Sequence, residues 1–282
     1  MGEPTPVVLT IAGFDPSSGA GVTADIKTIA AHGCYGVACV TALTVQSTQG
    51  VRRVEPVRPA VVLETLQELA SDVEVGAVHI GMLGTGRVAA VVTDFLIAKG
   101  LPNLVLDPIL KSSSGADLLD RSGKRILVKR LFPTATVVTP NAAEASALTG
   151  RPVTSPDEMR AAAAKLHEMG AAAVVITGGD LERALDLLSF KGRRGIEQEV
   201  FKSERIESGS THGTGCAFAT AIACHLALGR GLPEAVLLAK AYVSAAISNA
   251  QEVGRGTGPV HHLYRMDEPR RPLTAGRPPD PA

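Results

Sequence analysis

The 282-residue chain contains no tryptophan and only 3% aromatic residues, which argues against stacking platforms for single-stranded nucleic acid. Lysine plus arginine equal aspartate plus glutamate at 28 each, so no excess of one charge attracts the protein to nucleic acid or to anionic lipid. Apolar runs such as AAAVVIT at 171–177 are too short to cross a bilayer. These absences favour a small-molecule substrate, with neither nucleic acid nor a membrane as a partner.

The four cysteines include no CxxC pair and show no His/Cys metal spacing. The N-terminal stretch MGEPTPVVLTIAG lacks the basic region and the long apolar run of a signal peptide. We therefore expect reduced, mostly buried thiols and a cytoplasmic location.

Short runs rich in Val, Leu and Ile alternate with segments of helical spacing. Strands that are apolar on both faces and separated by helices predict a parallel sheet covered on both sides. Strands are expected at 7–12, 37–43, 77–80, 104–107, 137–139 and 173–177, and helices at 21–31, 59–71, 87–99, 141–148, 157–169, 215–228 and 233–250. Two further runs, 184–190 and 198–202, flank KGRRG and predict a hairpin. The expected fold class is α/β, with three layers (α/β/α) and a mainly parallel central sheet carrying an antiparallel edge hairpin.

Residues 1–266 are expected to form a single domain, because they contain neither an internal repeat nor a linker. The tail at 267–282, DEPRRPLTAGRPPDPA, is proline-rich and poor in apolar residues. Such a composition predicts disorder.

Polar residues follow the predicted strands, which end in GFDPSSGAG, TVQSTQG, GMLGTG, DP, TPNAAE and TGGD. Ligands of an open parallel sheet bind beyond the carboxyl ends of its strands. The segment GFDPSSGAGVTADIKT is neither a Walker A loop nor a GxGxxG motif. It is either a loop that closes over a small ligand or an ordinary glycine-rich turn, and the residues leave both interpretations open.

The stretch SGSTHGTGCAFATAIACHLALG at 208–229 passes from small polar residues into an apolar helix. Gly213, Thr214, Gly215 and Cys216 can direct successive amides at one point, where the helix dipole favours an anion. A purely structural helix start is the alternative, but the entropy cost of ordering two glycines favours the anion site. A thiol there is expected to have a lowered pKa, whereas His212, a single loop histidine, is expected to be solvated.

Asn141 and Glu144 have the spacing of a helix capping box. Asp107 ends a neighbouring predicted strand, and two carboxylates beside a phosphate-binding loop can hold Mg²⁺, often through water. The two interpretations are compatible with each other.

Six motifs together resemble those of bacterial hydroxymethylpyrimidine/phosphomethylpyrimidine kinases, a thiamin-biosynthesis branch of the ribokinase-like superfamily. They are, in order over about residues 7–262, TIAGFDPSSGAGVTADIKT, VTALTVQSTQGV, HIGML, VLDPIL, VVTPNAAEASALTG and STHGTGCAFATAIA. The resemblance implies a ribokinase-like fold, commonly as a homodimer. It also implies that ATP, with Mg²⁺, phosphorylates 4-amino-5-hydroxymethyl-2-methylpyrimidine and then its monophosphate.

The resemblance also implies roles for particular residues. Those expected in the pyrimidine pocket are Gly13, Asp25, Gln46, Met82 and Ile109; those near the nucleotide are Asn141, Glu144, Thr177, Gly179 and Lys240; those near Mg²⁺ are Asp107 and Glu144. The catalytic loop would be Gly213, Thr214, Gly215 and Cys216, with Cys216 taking the alcohol proton late in the reaction.

The chain departs from the family pattern at Thr177, where relatives usually carry a lysine that faces the ATP phosphates. Lys111 and Lys240 are candidate substitutes, although each is interpreted as a solvated surface lysine. Gln46 favours the pyrimidine, because some members that act on pyridoxal carry methionine there. Three alternatives remain open at this point: a pyridoxal-type kinase, a hydrolase with Cys216 activated by His212, and a non-catalytic sensor.

Overall fold

The computed structural model describes residues 4–112, 115–179, 185–193, 195–202 and 205–266. Within these ranges the strands are β1 (Val7–Phe14), β2 (Tyr35–Ser47), β3 (Gly50–Pro56), β4 (Val75–Ile80), β5 (Leu104–Leu106), β6 (Val137–Val138), β7 (Ala173–Gly178), β8 (Leu185–Gly192) and β9 (Gly195–Lys202). They form one sheet in the order β3-β2-β1-β4-β5-β6-β7-β8-β9. The tail predicted to be disordered lies outside the described residues, as do residues 184 and 194 of the predicted hairpin.

The described helices are α1 (Gly21–Ala31), α2 (Pro59–Asp72), α3 (Gly86–Lys99), α4 (Arg121–Ile126), α5 (Ala142–Thr149), α6 (Pro156–Glu168), α7 (Thr214–Ala227) and α8 (Leu232–Ser248). A π-helical segment, Leu127–Leu131, continues α4, and a 3₁₀ turn spans Tyr264–Met266. In the part of the chain that the structure describes, none of these helices combines the length and apolarity needed to cross a membrane.

Strand pairing confirms the predicted mainly parallel sheet. Strand β1 pairs in parallel with β2 and β4, and parallel pairing continues through β5, β6 and β7. The antiparallel strands β8 and β9 form the predicted edge. The opposite edge is also antiparallel, because β3 pairs back onto β2. Strand β3 was not predicted, because its exposed Arg52, Arg53 and Glu55 interrupt any apolar pattern.

Alternating side chains of the central strands pack into two separate cores, as expected for a sheet covered on both faces. Leu9 and Ile11 of β1 belong to the core that includes Val92 of α3, together with residues of α2, α5 and α6. Val8, the residue before Leu9, points to the opposite face and belongs to the other core, with Ile222 of α7 and residues of α1 and α8. The sheet therefore forms the middle of three layers.

Local signals set the limits of several helices. Thr85 caps α3, since its side chain accepts a hydrogen bond from Val88 N, and Gly100 ends the helix with a φ of 62°. This left-handed conformation suits glycine at the end of a helix.

We expect the protein to lose stability as the pH falls from about 6.5 to 4, because His262 is buried as a neutral ring. It is 3% exposed, and burial, followed by the charge of Lys27, lowers its pKa to about 4. The unfolded chain takes up this proton near pH 6.5, so unfolding is favoured progressively below that pH, by about 3 kcal/mol once the pH is below 4. Urea unfolding at pH 7 and pH 4.5 measures the effect. His262→Asn should reduce the difference between the two pH values, and an unchanged difference would contradict the assignment.

Candidate functional site

The carboxyl ends of the parallel strands meet at a cavity of about 1280 Å³, whose wall also includes the first turn of α7 and one face of α8. Of the site residues expected from the sequence, all but Asp25 line this cavity. They are Gly13, Gln46, Met82, Asp107, Ile109, Asn141, Glu144, Thr177, Gly179, Gly213, Thr214, Gly215, Cys216 and Lys240. The polar strand ends thus share one rim, while the individual binding roles stay predictions.

Asp25 is completely buried on α1 and does not line the cavity, contrary to the prediction. Its Oδ2 accepts a hydrogen bond from Thr10 Oγ1 at 2.6 Å, and its Oδ1 accepts one from Thr220 Oγ1 at 2.9 Å. His79 Nδ1 lies 3.3 Å from Asp25 Oδ2. The carboxylate therefore joins α1 to β1, β4 and α7 in the interior of the protein.

The loop before α7 has the geometry of an anion site. Gly213, the N-cap residue, has a φ of 83°, and a Cβ there would lie 1.8 Å from the Gly19 carbonyl oxygen. Ala217 N donates to Gly213 O, whereas the amides of Gly215 and Cys216 precede the first i to i−4 bond of the helix. These unpaired N–H groups lie at the positive end of the helix dipole.

Asp107, which is buried, and Glu144, which is partly buried, form a pair of interacting carboxyl groups beside this turn. Burial, followed by the charges of Glu144 and Asp25, raises the pKa of Asp107 well above its usual value. Burial raises the pKa of Glu144 to about 7, although hydrogen bonds from two backbone amides oppose the rise. A Cβ on Gly215 would lie 3.8 Å from Asp107 Oδ2, so Asp107 is next to the first turn of α7. Two neighbouring carboxyl groups repel each other when both are ionised, and a cation bound between them relieves this repulsion.

The capping box expected at the start of α5 is present. Asn141 Oδ1 accepts from Glu144 N at 2.8 Å, and Asn141 N donates to Glu144 Oε2 at 2.9 Å. The described residues contain no group of three His, Cys, Asp or Glu side chains suited to a metal. Mg²⁺ needs only one or two carboxylates, since water and phosphate oxygens complete its shell. Asp107 and Glu144 therefore fit Mg²⁺ bound together with a nucleotide.

The prediction of a lowered thiol pKa is wrong. Burial raises the pKa of Cys216 well above its usual value, and the carboxyl groups of Asp107 and Asp25 add to the rise. A hydrogen bond from the backbone of Gly21 opposes this effect without reversing it. The effect of the helix N-terminus on the thiol pKa is thus outweighed by desolvation and, second, by the nearby carboxyl groups, and the thiol stays protonated near neutral pH.

His212 is not solvated as expected, since its side chain is 13% exposed. Its Nε2 lies 2.8 Å from Asp15 Oδ2 and 3.2 Å from Gln46 Nε2. Burial alone would raise the pKa of Asp15, but hydrogen bonds from His212 and Ser17 outweigh it and lower that pKa. Among the described residues, the His212 ring is hydrogen-bonded to Asp15 and Gln46 and not to Cys216, so the nucleophile–base pair of a Cys–His hydrolase is not formed.

Lys240 is not a solvated surface lysine either. Its side chain is 13% exposed, and its Nζ donates to Asp186 Oδ2 at 2.6 Å. Asp186 is the cross-strand partner of Thr177, so Lys240 lies near the position where the family pattern places a lysine. Lys111, with a side chain 67% exposed, is the surface lysine that the sequence analysis expected.

The sequence analysis missed an apolar part of the cavity wall. On α8, residues at helical spacing from Lys240 face the cavity, namely Val243, Ser244 and Ile247, and Ile206 lines it from the segment before α7. The i, i+3, i+4, i+7 pattern was available in the sequence. It could not be assigned to a ligand, because residues that line a cavity and residues that pack into the core have the same helical spacing.

Comparison with known proteins agrees with this architecture. The family model described as phosphomethylpyrimidine kinase matches residues 15–261. A hydroxymethylpyrimidine/phosphomethylpyrimidine kinase of Rhizobium meliloti is 42% identical over 266 residues, which cover 93% of this chain and 98% of the relative. The thiamine biosynthesis bifunctional protein ThiED of Geobacter sulfurreducens is 43% identical over 265 residues. The match covers 93% of this chain but only 53% of that longer protein.

Among solved structures, the ADP complex of Bacillus subtilis pyridoxal kinase superposes with a TM-score of 0.84 at 33% identity. The superposition covers 94% of this chain and 100% of the other.

Proposed function

The chain belongs to the phosphomethylpyrimidine kinase family, and we propose that it uses ATP to phosphorylate 4-amino-5-hydroxymethyl-2-methylpyrimidine and then its monophosphate, giving the diphosphate used in thiamin biosynthesis. One observation carries the proposal: a single cavity contains the α7 amides, the Asp107–Glu144 pair, Lys240 and Gln46. An anion site, a cation site and an amide for the pyrimidine are the parts that this reaction needs.

The first turn of α7 performs the central task, which is to stabilise the phosphoryl group during transfer. Phosphoryl transfer passes through a loose transition state with charge on the equatorial oxygens, so preorganised donors and cations dominate catalysis. The amides of Gly215 and Cys216 would supply the donors. Asp107 and Glu144 would hold Mg²⁺, which neutralises phosphate charge when bound.

The pyrimidine would lie against Gly13 and Met82, which already pack together: a Cβ on Gly13 would meet Met82 Sδ at 2.9 Å. Gln46 offers an amide to the aminopyrimidine edge, and Ile109 offers apolar contact. The nucleotide would extend along the stripe of α8 that begins at Lys240, with Thr177 and Gly179 near its phosphates.

Lys240→Ala is expected to raise the KM for ATP about 10- to 100-fold, because a charged contact to phosphate is lost and the Asp186 carboxylate loses its cationic partner beside the cavity. Initial rates at varied ATP measure this. Lys240→Ala combined with Asp186→Asn separates the two causes, since it removes the unpaired charge. Lys99→Ala, at the exposed end of α3, is the matched control. An unchanged KM for ATP in Lys240→Ala would contradict the role.

Incubation with Mg-ATP and the aminopyrimidine alcohol, followed by mass spectrometry, tests the proposed function. Successive monophosphate and diphosphate products are expected. Absence of any phosphorylated pyrimidine would overturn the proposal, and turnover at ordinary kinase rates would exclude a non-catalytic sensor.

Pyridoxal phosphorylation is the second candidate activity, because a pyridoxal kinase shares the fold at a TM-score of 0.84. Gln46 favours the pyrimidine, since its amide can both donate to and accept from an aminopyrimidine edge. Parallel assays with pyridoxal and the pyrimidine alcohol give the ratio of kcat/KM values that decides between them.

The proposal extends to a cytoplasmic homodimer. The four cysteines Cys34, Cys39, Cys216 and Cys224 are free thiols, as in reducing compartments. Leu43 and Val45 of β2 are large exposed apolar residues and offer a surface for a second copy. Light scattering after size-exclusion chromatography measures the mass, and a monomer at micromolar concentration would contradict the dimer.

A further inference from the structure

His212 lies where three segments of the cavity wall meet. It connects the loop after β1, through Asp15, to the end of β2, through Gln46, and it directly precedes Gly213. The contact with the β1 loop is close, because a Cβ on Gly19 would lie 2.2 Å from His212 Cδ2. The backbone of His212 is also fixed, since its N–H donates to Gly258 O.

The hydrogen bonds of His212 determine the orientation of the Gln46 amide. Asp15 Oδ2 lies 2.8 Å from His212 Nε2, and an ionised carboxylate only accepts, so Nε2 carries a proton. The Gln46 amide nitrogen, placed 3.2 Å from Nε2, would put two donors face to face, so the amide is exchanged end for end and its oxygen shares the Nε2 proton with Asp15. The Thr44 hydroxyl donates its one proton to Phe14 O at 3.0 Å. The exchange moves the Gln46 nitrogen to the position 3.1 Å from Thr44 Oγ1 where the amide oxygen is placed, so that Thr44 Oγ1 accepts from it.

This orientation of the amide gives every donor an acceptor. One lone pair of the Gln46 oxygen is then used by His212, and one N–H is used by Thr44. One lone pair and one N–H remain. An exocyclic amino group next to a ring nitrogen requires one acceptor and one donor side by side, as in the pairing of glutamine with adenine. Pyridoxal carries no exocyclic amino group.

We propose that His212 is a positioning residue that determines substrate specificity: by bridging Asp15 and Gln46, it holds the Gln46 amide in the orientation that pairs with an aminopyrimidine. The inference rests on the proposed function. It assigns His212 no proton transfer, because its Nε2 is bound to Asp15 and Gln46.

Two substitutions of His212 distinguish the role of Nε2 from that of Nδ1. Glutamine places an N–H near the position of Nε2, whereas asparagine reaches only to the position of Nδ1. His212→Asn is expected to lower kcat/KM for the aminopyrimidine alcohol about 10- to 100-fold, mainly through KM, as for loss of a hydrogen bond that orders a binding group. His212→Gln should stay within about threefold of the unmutated enzyme. In both variants, kcat/KM for pyridoxal and the KM for ATP should change by less than about threefold.

His167→Gln is the matched control, because His167 is a part-buried histidine on α6 with both ring nitrogens bonded and does not line the cavity. If His212→Gln and His212→Asn lose activity equally, or if the pyridoxal and ATP parameters fall in parallel with the pyrimidine parameter, His212 is merely structural and the inference is wrong. If the unmutated enzyme does not phosphorylate the pyrimidine, the proposed function fails, and this inference fails with it. Normal pyrimidine turnover by every His212 variant would overturn the inference alone.

Discussion

Gly213→Ala is expected to reduce kcat for phosphoryl transfer at least about 100-fold, because alanine is strained in, and clashes within, the backbone conformation that aims the α7 amides. The φ of 83° at this position costs an L-residue about 1–2 kcal/mol. The added Cβ would also lie 1.8 Å from the Gly19 carbonyl oxygen, so the loop before α7 must move. Loss of one preorganised donor lowers kcat by about two to three orders of magnitude in other enzymes. Steady-state rates at saturating substrates measure the effect.

Gly209→Ala is the matched control in the same segment. A Cβ there meets nothing within 4 Å, and Gly209 has no positive φ, so kcat should stay within about twofold. Thermal unfolding and ATP binding of Gly213→Ala show whether the variant folds. A folded Gly213→Ala enzyme with normal kcat would show that the amides of this turn do not stabilise the phosphoryl group.

The fold could be predicted from the sequence because its central strands are buried on both faces. The runs around Leu9, Val78 and Val105 are apolar without alternation, and this pattern distinguishes a covered parallel sheet from a solvated one. Strand β3 could not be predicted in this way. It lies at an edge with both faces partly open, so its charged side chains give no periodic signal.

The rim of the cavity was also predictable, since strand ends of a parallel sheet converge whatever the loops contain. The environment of each polar group could not be predicted from the sequence. Asp25 is one helical turn past the glycine-rich loop and looks accessible in the sequence, yet Thr10 and Thr220 hold it inside the protein. His212 and Lys240 are each paired with a carboxylate from a distant segment, and a single sequence contains no record of such long-range contacts.

Cys216 shows the same limitation in its electrostatics. A helix N-terminus lowers a thiol pKa through local geometry, which the sequence displays. Burial and the Asp107 carboxyl, which comes from a strand end far away in the chain, raise that pKa and prevail. We therefore predict that the thiol acts as a hydrogen-bond donor and not as a ready base.

Cys216→Ala is expected to lower kcat by about two to three orders of magnitude, as for loss of an anion-hole donor, and to lower it for both phosphorylation steps. The two phosphoryl acceptors, the alcohol and its monophosphate, differ in whether they must lose a proton. The alcohol must lose a proton during transfer, whereas a phosphate monoester, with a second pKa near 6, is largely ionised at pH 7.5 and needs no base. A residue that acted only as a base would be needed only in the first step, whereas a donor to the phosphoryl group is needed in both.

Single-turnover rates with the alcohol and with its monophosphate therefore separate the two roles of Cys216. We expect Cys216→Ala to slow both steps by similar factors, and Cys216→Ser, which keeps a donor, to lose only about tenfold in each. Slow alkylation of Cys216 by iodoacetamide at pH 7.5, compared with a free thiol, checks that the group is protonated. A defect confined to the alcohol step, together with rapid alkylation, would show that Cys216 acts as a thiolate base and would refute the donor role.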